Sequence, residues 1–155
     1  NAELKNGVGN LFARVLKLAE KTEGFIINIP EKHEAADLTR QSWANYRDAL
    51  ANFNLAVALE QTQRLIAWAN RSVDTEKPWT LNRPDELAKV LAPILEIIRH
   101  IGLQLLPFTP RTAATILKHL GVKLPASWLP SQFTALEQWT PGVILVAPAS
   151  EHLFS

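Results

Sequence analysis

Leu4, Val8, Leu11, Val15 and Leu18 follow one another at alternating steps of four and three residues. That spacing gathers one apolar stripe only on an α-helix, since a strand would need steps of two. The same period returns along most of the chain. The first helix is expected from Leu4 to about Lys21, stopped by Gly24 and the stretch ending at Pro30. A second is expected from about Glu34 to Leu50, carrying Leu38, Tyr46, Ala49 and Leu50. Asn52 and Asn54 break it, and Asn54 suits the N-cap of a third helix, because its side-chain oxygen can accept an unpaired first-turn amide. Leu55, Leu59, Thr62, Leu65, Ile66, Ala69 and Val73 then keep the helical period almost to Pro78. Pro84, followed by Asp85 and Glu86, marks a fourth start. Leu87, Val90, Leu91, Ile94, Leu95, Ile98, Ile101 and Leu105 should be its buried face. Pro93 lies inside and should kink or split that helix, because its ring removes a backbone bond and crowds the preceding turn. Thr109 and Pro110 read as the N-cap and first residue of a short fifth helix closed by Gly121.

Beyond Gly121, Pro125, Pro130, Pro141 and Pro148 interrupt the pattern around Trp128, Phe133 and Trp139. A short helical turn and extended chain should pack there over the bundle. The expected fold class is all-α: a bundle of about five helices with an irregular C-terminal tail, residues 1–155 forming a single domain.

With 155 residues, 47% hydrophobic and 20% charged, the chain can bury roughly 70% of its unfolded surface. Sixteen Lys and Arg against fifteen Asp and Glu leave a net charge of +1. Partners held mainly by bulk charge, such as long duplex DNA or an anionic membrane, are disfavoured. A nucleic acid gripped at a few chosen points is not. The absence of cysteine excludes disulfides, thiolate metal sites and Cys nucleophiles. No apolar run approaches the ~20 residues that span a bilayer. Starting at Asn1 with no Met anywhere, the chain reads as a segment of a longer polypeptide.

Grouped catalytic side chains are not evident. His33-Glu34-Ala35-Ala36-Asp37 lacks the second His of a zinc-protease helix and reads as an acidic helix N-terminus. His100-Ile101-Gly102 shares three letters with the synthetase HIGH motif but is followed by Leu103 within an apolar helical run. Six glycines form no phosphate-cradling loop. No catalytic and no metal-ligating residues are expected.

Two stretches stand apart: Asn1-Ala2-Glu3-Leu4-Lys5-Asn6-Gly7-Val8-Gly9-Asn10-Leu11-Phe12-Ala13-Arg14-Val15, and Ala69-Asn70-Arg71-Ser72-Val73-Asp74-Thr75-Glu76-Lys77-Pro78-Trp79. Together they resemble the anticodon-binding domain of the methionyl-tRNA synthetases. That family carries N-x-E-L-x-N-x-x-G-N-L-x-x-R on a helix and, later, an A-N-x-x-[VI]-x-x-x-x-P-W turn. Leu106-Pro107-Phe108-Thr109-Pro110, Trp139, Gly142 and Leu153-Phe154 are similar to its further landmarks, so the resemblance spans essentially the whole chain.

The resemblance implies that Asn10, Arg14 and Trp79 recognise the CAU anticodon, chiefly its cytosine, with Pro78 positioning Trp79. Residue chemistry agrees with those roles. Asn10 and Arg14 are four residues apart and share a helix flank, offering a carboxamide and a planar guanidinium fork to a base edge. Lys17 and Lys21 extend that flank with positive charge. An indole suits stacking of an unpaired base, and proteins read RNA sequence chiefly in single strands. Taken alone, the same residues also fit a solvated helix face and a packed helix-end staple. Trp43, Trp68, Trp128 and Trp139 are expected in the core or an interface, and Arg71 in an ion pair with Asp74 or Glu76.

The family further implies a tRNA(Met) anticodon loop and the catalytic domain of the same polypeptide as partners, with no membrane and no DNA, in the cytoplasm. No cofactor is expected in this segment; ATP and magnesium, with zinc as a further option, would belong to the remaining part of the enzyme. Two alternatives stand beside it: a helical protein–protein adaptor, and the equivalent domain of a cysteine, valine, isoleucine or leucine synthetase.

Overall fold

One helix of the sequence, the run from Pro84 to Leu105, becomes the axis around which the others pack. The computed structural model describes residues 2–22, 27–124 and 130–144. In chain order the elements are α1 (Ala2–Glu20), β1 (Ile27–Ile29), α2 (Glu34–Ala51), α3 (Leu55–Glu76), a 3-10 turn (Pro78–Thr80), α4 (Pro84–Leu105), α5 (Pro110–His119), α6 (Pro130–Leu136) and β2 (Gly142–Ile144). The chain is an all-α bundle, with six α-helices among the described residues.

Every residue of α4 from Leu91 to Leu105 is buried, including Glu96, Arg99, His100 and Gln104. The single apolar stripe expected of this helix is therefore only part of it. With α1, α2, α3, α5 and β1 all packed on it, α4 has no solvent face over its C-terminal two thirds. Pro93 does not split the helix. The backbone bond it forfeits is outweighed by neighbours that enclose Pro93 and the residues after it. Gly102 allows close approach: a Cβ there would meet Leu117 Cδ2 at 3.0 Å, so α4 and α5 touch nearly backbone to side chain.

The helix ends follow local chemistry. The His33 ring caps α2, its Nδ1 accepting from the Ala35 amide at 3.0 Å. Asn54 Oδ1 accepts from the Val57 amide at 3.2 Å. Gly121, at φ 74°, closes α5 in the left-handed conformation, with Gly121 N donating to Lys118 O at 3.1 Å and Val122 N to Leu117 O at 2.9 Å.

The segment after α1, read from sequence only as a helix stop, contains a strand. β1 pairs antiparallel with β2, Ile27 opposite Ile144 and Ile29 opposite Gly142. Ile27 and Ile29 face the core while Asn28 is exposed. The C-terminal tail is thus tied to the bundle by α6, by β2 and by Trp139, whose Nε1 donates to Pro30 O at 2.8 Å. A neutral polar bridge lies beneath. Gln104 Nε2 donates to Ser42 Oγ at 3.0 Å, Thr62 Oγ1 donates to Gln104 Oε1 at 2.8 Å, and the Tyr46 hydroxyl donates to Gln104 O at 2.6 Å. These bonds fasten α2 and α3 to α4.

Candidate nucleic-acid interface

α3 ends at Glu76, and the next residue turns the chain sharply. Lys77 takes the left-handed conformation (φ 46°, ψ 58°) while its amide still donates to Val73 O at 3.0 Å. Pro78 opens the 3-10 turn with its ring buried. Thr80 donates twice to Lys77 O, from its amide at 2.9 Å and its hydroxyl at 2.7 Å, and Leu81 N donates to Pro78 O at 3.1 Å. The turn is therefore fixed on both sides of Trp79, whose side chain nonetheless stays out: the residue is 49% exposed. A packed staple would be covered. Trp43, by contrast, is buried, and Trp68 and Trp139 are partly buried against the core; Trp128 lies outside the described residues.

On α1, Leu11, Phe12, Val15 and Leu16 face the core, which leaves Asn10, Arg14 and Lys17 exposed on the outer flank. Lys21 follows the end of the helix, also exposed, in a turn where its amide donates to Leu18 O at 3.1 Å. Arg14 reaches Asp74 on the last turns of α3, Nη2 to Oδ1 at 3.9 Å. Both side chains are well exposed, so this pair contributes little to stability. Its interest is positional: it marks where the polar flank of α1 lies beside the end of α3 that leads into Pro78 and Trp79. Asp74 is thus matched to Arg14, where the sequence suggested Arg71. Among the described residues no hydrogen bond or ion pair joins Trp79 directly to Asn10, Arg14 or Lys21. What the described contacts bring to this end of α3 is the Trp79 indole and the Arg14 guanidinium, with Asn10 one turn back on the same exposed flank of α1; these groups suit stacking and edge recognition of a base.

A second polar assembly escaped the sequence reading. Arg99 grips Glu96 with two bonds, Nε to Oε1 at 2.6 Å and Nη2 to Oε2 at 2.9 Å. It also donates to Leu136 O at 2.6 Å and Gln138 O at 2.7 Å, while the Thr140 amide donates to Glu96 Oε2 at 2.6 Å. Trp43 Nε1 donates to His100 Nδ1 at 2.9 Å. An indole N–H can only donate, so Nδ1 must accept and the imidazole proton sits on Nε2, 3.2 Å from Glu96 Oε2. The His100-Ile101-Gly102 triplet thus belongs to a buried staple holding the tail on α4. The available signal was three titratable residues at positions i, i+3 and i+4 inside an apolar run.

Burial pushes the His100 imidazole below its ordinary value of 6.5, against the pull of the Glu96 hydrogen bond. For Glu96, burial alone would raise the carboxyl, but hydrogen bonds from Arg99 and His100 outweigh it and hold the group below its ordinary 4.5. Both depressions act in one direction. As pH falls through 6.5 the unfolded chain protonates His100 and the folded chain does not, so stability is lost on acidification from there. Glu96 adds the same sign below 4.5. Thermal melts between pH 7.5 and pH 5 should show the midpoint falling with acidity; His100→Gln should flatten that slope even if its midpoint is lower throughout. A wild-type midpoint that is flat or rises on acidification would contradict a buried His100 that stays neutral in the folded chain.

No protein-family model matches the chain. It is 32% identical over 136 residues to the methionine–tRNA ligase of Rickettsia conorii, covering 79% of this chain and 26% of that protein. To the methionine–tRNA ligase of Caldanaerobacter subterraneus it is 28% identical over 153 residues, covering 90% of this chain and 24% of the relative. The chain therefore spans about a quarter of the length of these curated relatives. Its fold matches the apo Mycobacterium tuberculosis methionyl-tRNA synthetase with a TM-score of 0.73 over 97% of this chain and 32% of that one, at 24% identity.

Proposed function

This chain belongs to the methionyl-tRNA synthetase family, and on that premise we propose that it is the module that reads the CAU anticodon of tRNA(Met) within a longer, ATP-dependent methionine–tRNA ligase. The supporting observation is Trp79, half exposed on a turn whose hydrogen bonds and buried proline hold it rigid, at the end of α3 that Arg14 approaches. The unpaired cytosine stacks on the indole, while Asn10 and Arg14 read its edge. Lys17 and Lys21 lie along the backbone path. Selectivity then comes from stacking and edge hydrogen bonds, which is how a chain of net charge +1 can discriminate among tRNAs. Adenylate formation and aminoacyl transfer belong to the rest of the polypeptide, which would bind ATP and magnesium and work in the cytoplasm.

Trp79→Ala should weaken binding of a CAU anticodon stem-loop by about 1–3 kcal/mol while leaving the melting midpoint nearly unchanged. Fluorescence anisotropy with a labelled stem-loop measures the first, calorimetry the second. A large loss of stability would place Trp79 in the core and remove its recognition role, and preference for a stem-loop with another anticodon would reject the assignment to methionine.

A protein-docking reading has an observation of its own. Phe53 is 91% and Leu55 56% exposed at the corner between α2 and α3, the opposite end of α3 from Trp79. The two readings use different ends of one helix. Under the docking reading the wild-type chain shows no preference for the CAU stem-loop, and neither Trp79→Ala nor Phe53→Ser alters its RNA binding.

A further inference from the structure

Non-glycine residues at the left-handed C-terminal position of a helix are a puzzle, because glycine takes that conformation without a Cβ clash and is the usual occupant. Lys77 holds it nonetheless, at φ 46° and ψ 58°. Its backbone is wholly committed: the amide donates to Val73 O, and the carbonyl accepts both the amide and the hydroxyl of Thr80. The side chain is exposed and forms no hydrogen bond or ion pair among the described residues. Strain retained at a position with a simpler occupant points to use of the side chain. Two residues on is the exposed indole of Trp79, and the intervening Pro78 is anchored in the core.

Resting on the reading of Trp79 as a stacking platform, we propose that Lys77 is a phosphate-binding residue for the nucleotide stacked there. The turn delivers base platform and cation as one preformed unit. A base lying on the indole carries its own 5′ and 3′ phosphates within a nucleotide's reach, and an unpaired ammonium on the same rigid turn can neutralise one of them. Ordering of this turn is completed on folding, so little of its cost falls on RNA binding.

A competing role is purely structural: a cation at a helix C-terminus interacts favourably with the exposed carbonyl dipoles. Lys77→Gly separates the two. For a phosphate anchor, relief of the left-handed strain should keep the melting midpoint at or above that of the wild type. Affinity for the CAU stem-loop should fall about five- to tenfold at moderate salt. The slope of log K against log salt should also shrink by about 0.7, one single-strand phosphate contact. Lys77→Arg should retain most of both. If Lys77→Gly binds as tightly as the wild type with the same salt slope, the lysine is a cap and the proposal fails, whatever happens to stability. If the wild-type chain itself shows no preference for the CAU stem-loop, the reading of Trp79 fails first, and with it the basis for this one.

Discussion

Arg99→Met should cost about 3–5 kcal/mol of folding stability, because it leaves Glu96 charged, buried and without its bidentate partner. The same change orphans the Leu136 and Gln138 carbonyls that Arg99 now serves. Domains of this size are stable by only about 5–15 kcal/mol, so most of the margin could go. The melting midpoint should fall on the order of 10 °C. The double variant Glu96→Gln with Arg99→Met should recover part of the loss, since it removes the stranded charge along with its partner. Chemical denaturation of the wild type, both single variants and the double variant measures the coupling. A loss in Arg99→Met below about 1 kcal/mol would mean that the tail is held on α4 by its apolar contacts and strand pairing alone.

Phe12→Ala should be of similar size, about 3–5 kcal/mol, by a different route. Phe12 is fully buried, with its ring edge-on to His119 of α5 at a centroid separation of 6.0 Å. Removing it leaves a cavity between α1, α5 and the core that close-packed neighbours can only partly refill. Phe12 also sits between Asn10 and Arg14 in sequence and points the other way, so its packing is what presents those two residues outward. Loss of stability should therefore be joined by weaker stem-loop binding, even where the variant is still folded. Equilibrium urea unfolding gives the first effect and anisotropy at low temperature the second. A variant that loses little stability would place less of α1's docking energy at Phe12 than its burial implies.

The contrast between these two residues tracks what could be read in advance. Phe12 lies next to Leu11, in the period that also carries Val8, Val15 and Leu18, so its helix was legible from spacing alone. Arg99 lies in an equally periodic run, but nothing in that run says the helix is enclosed on all sides. The expected buried face of α4 omitted Glu96, Arg99, His100 and Gln104 because a surface helix would put them outside. Pro93 illustrates the same gap: local physics predicts a broken helix, and tertiary packing overrides it. The strand at Ile27–Ile29 was invisible because its partner lies at the far end of the chain.

The candidate site divides likewise. Asn10 and Arg14 share a flank by helical geometry, and Pro78 beside Trp79 marks a turn by composition. That Trp79 stays exposed while Trp43 is buried is not written in either residue's neighbours in sequence. Nor is the choice of Arg14 for Asp74, or the left-handed backbone of Lys77.

By itself, the sequence determined the helical class, most helix ends and the polar flank of α1, because periodicity, capping and proline restriction act within a few residues. Only the tertiary structure decided which helix would be central, which charges would be buried and which tryptophan would face water. Those outcomes depend on surfaces brought together from distant parts of the chain, where burial and desolvation, not local preference, set the energy.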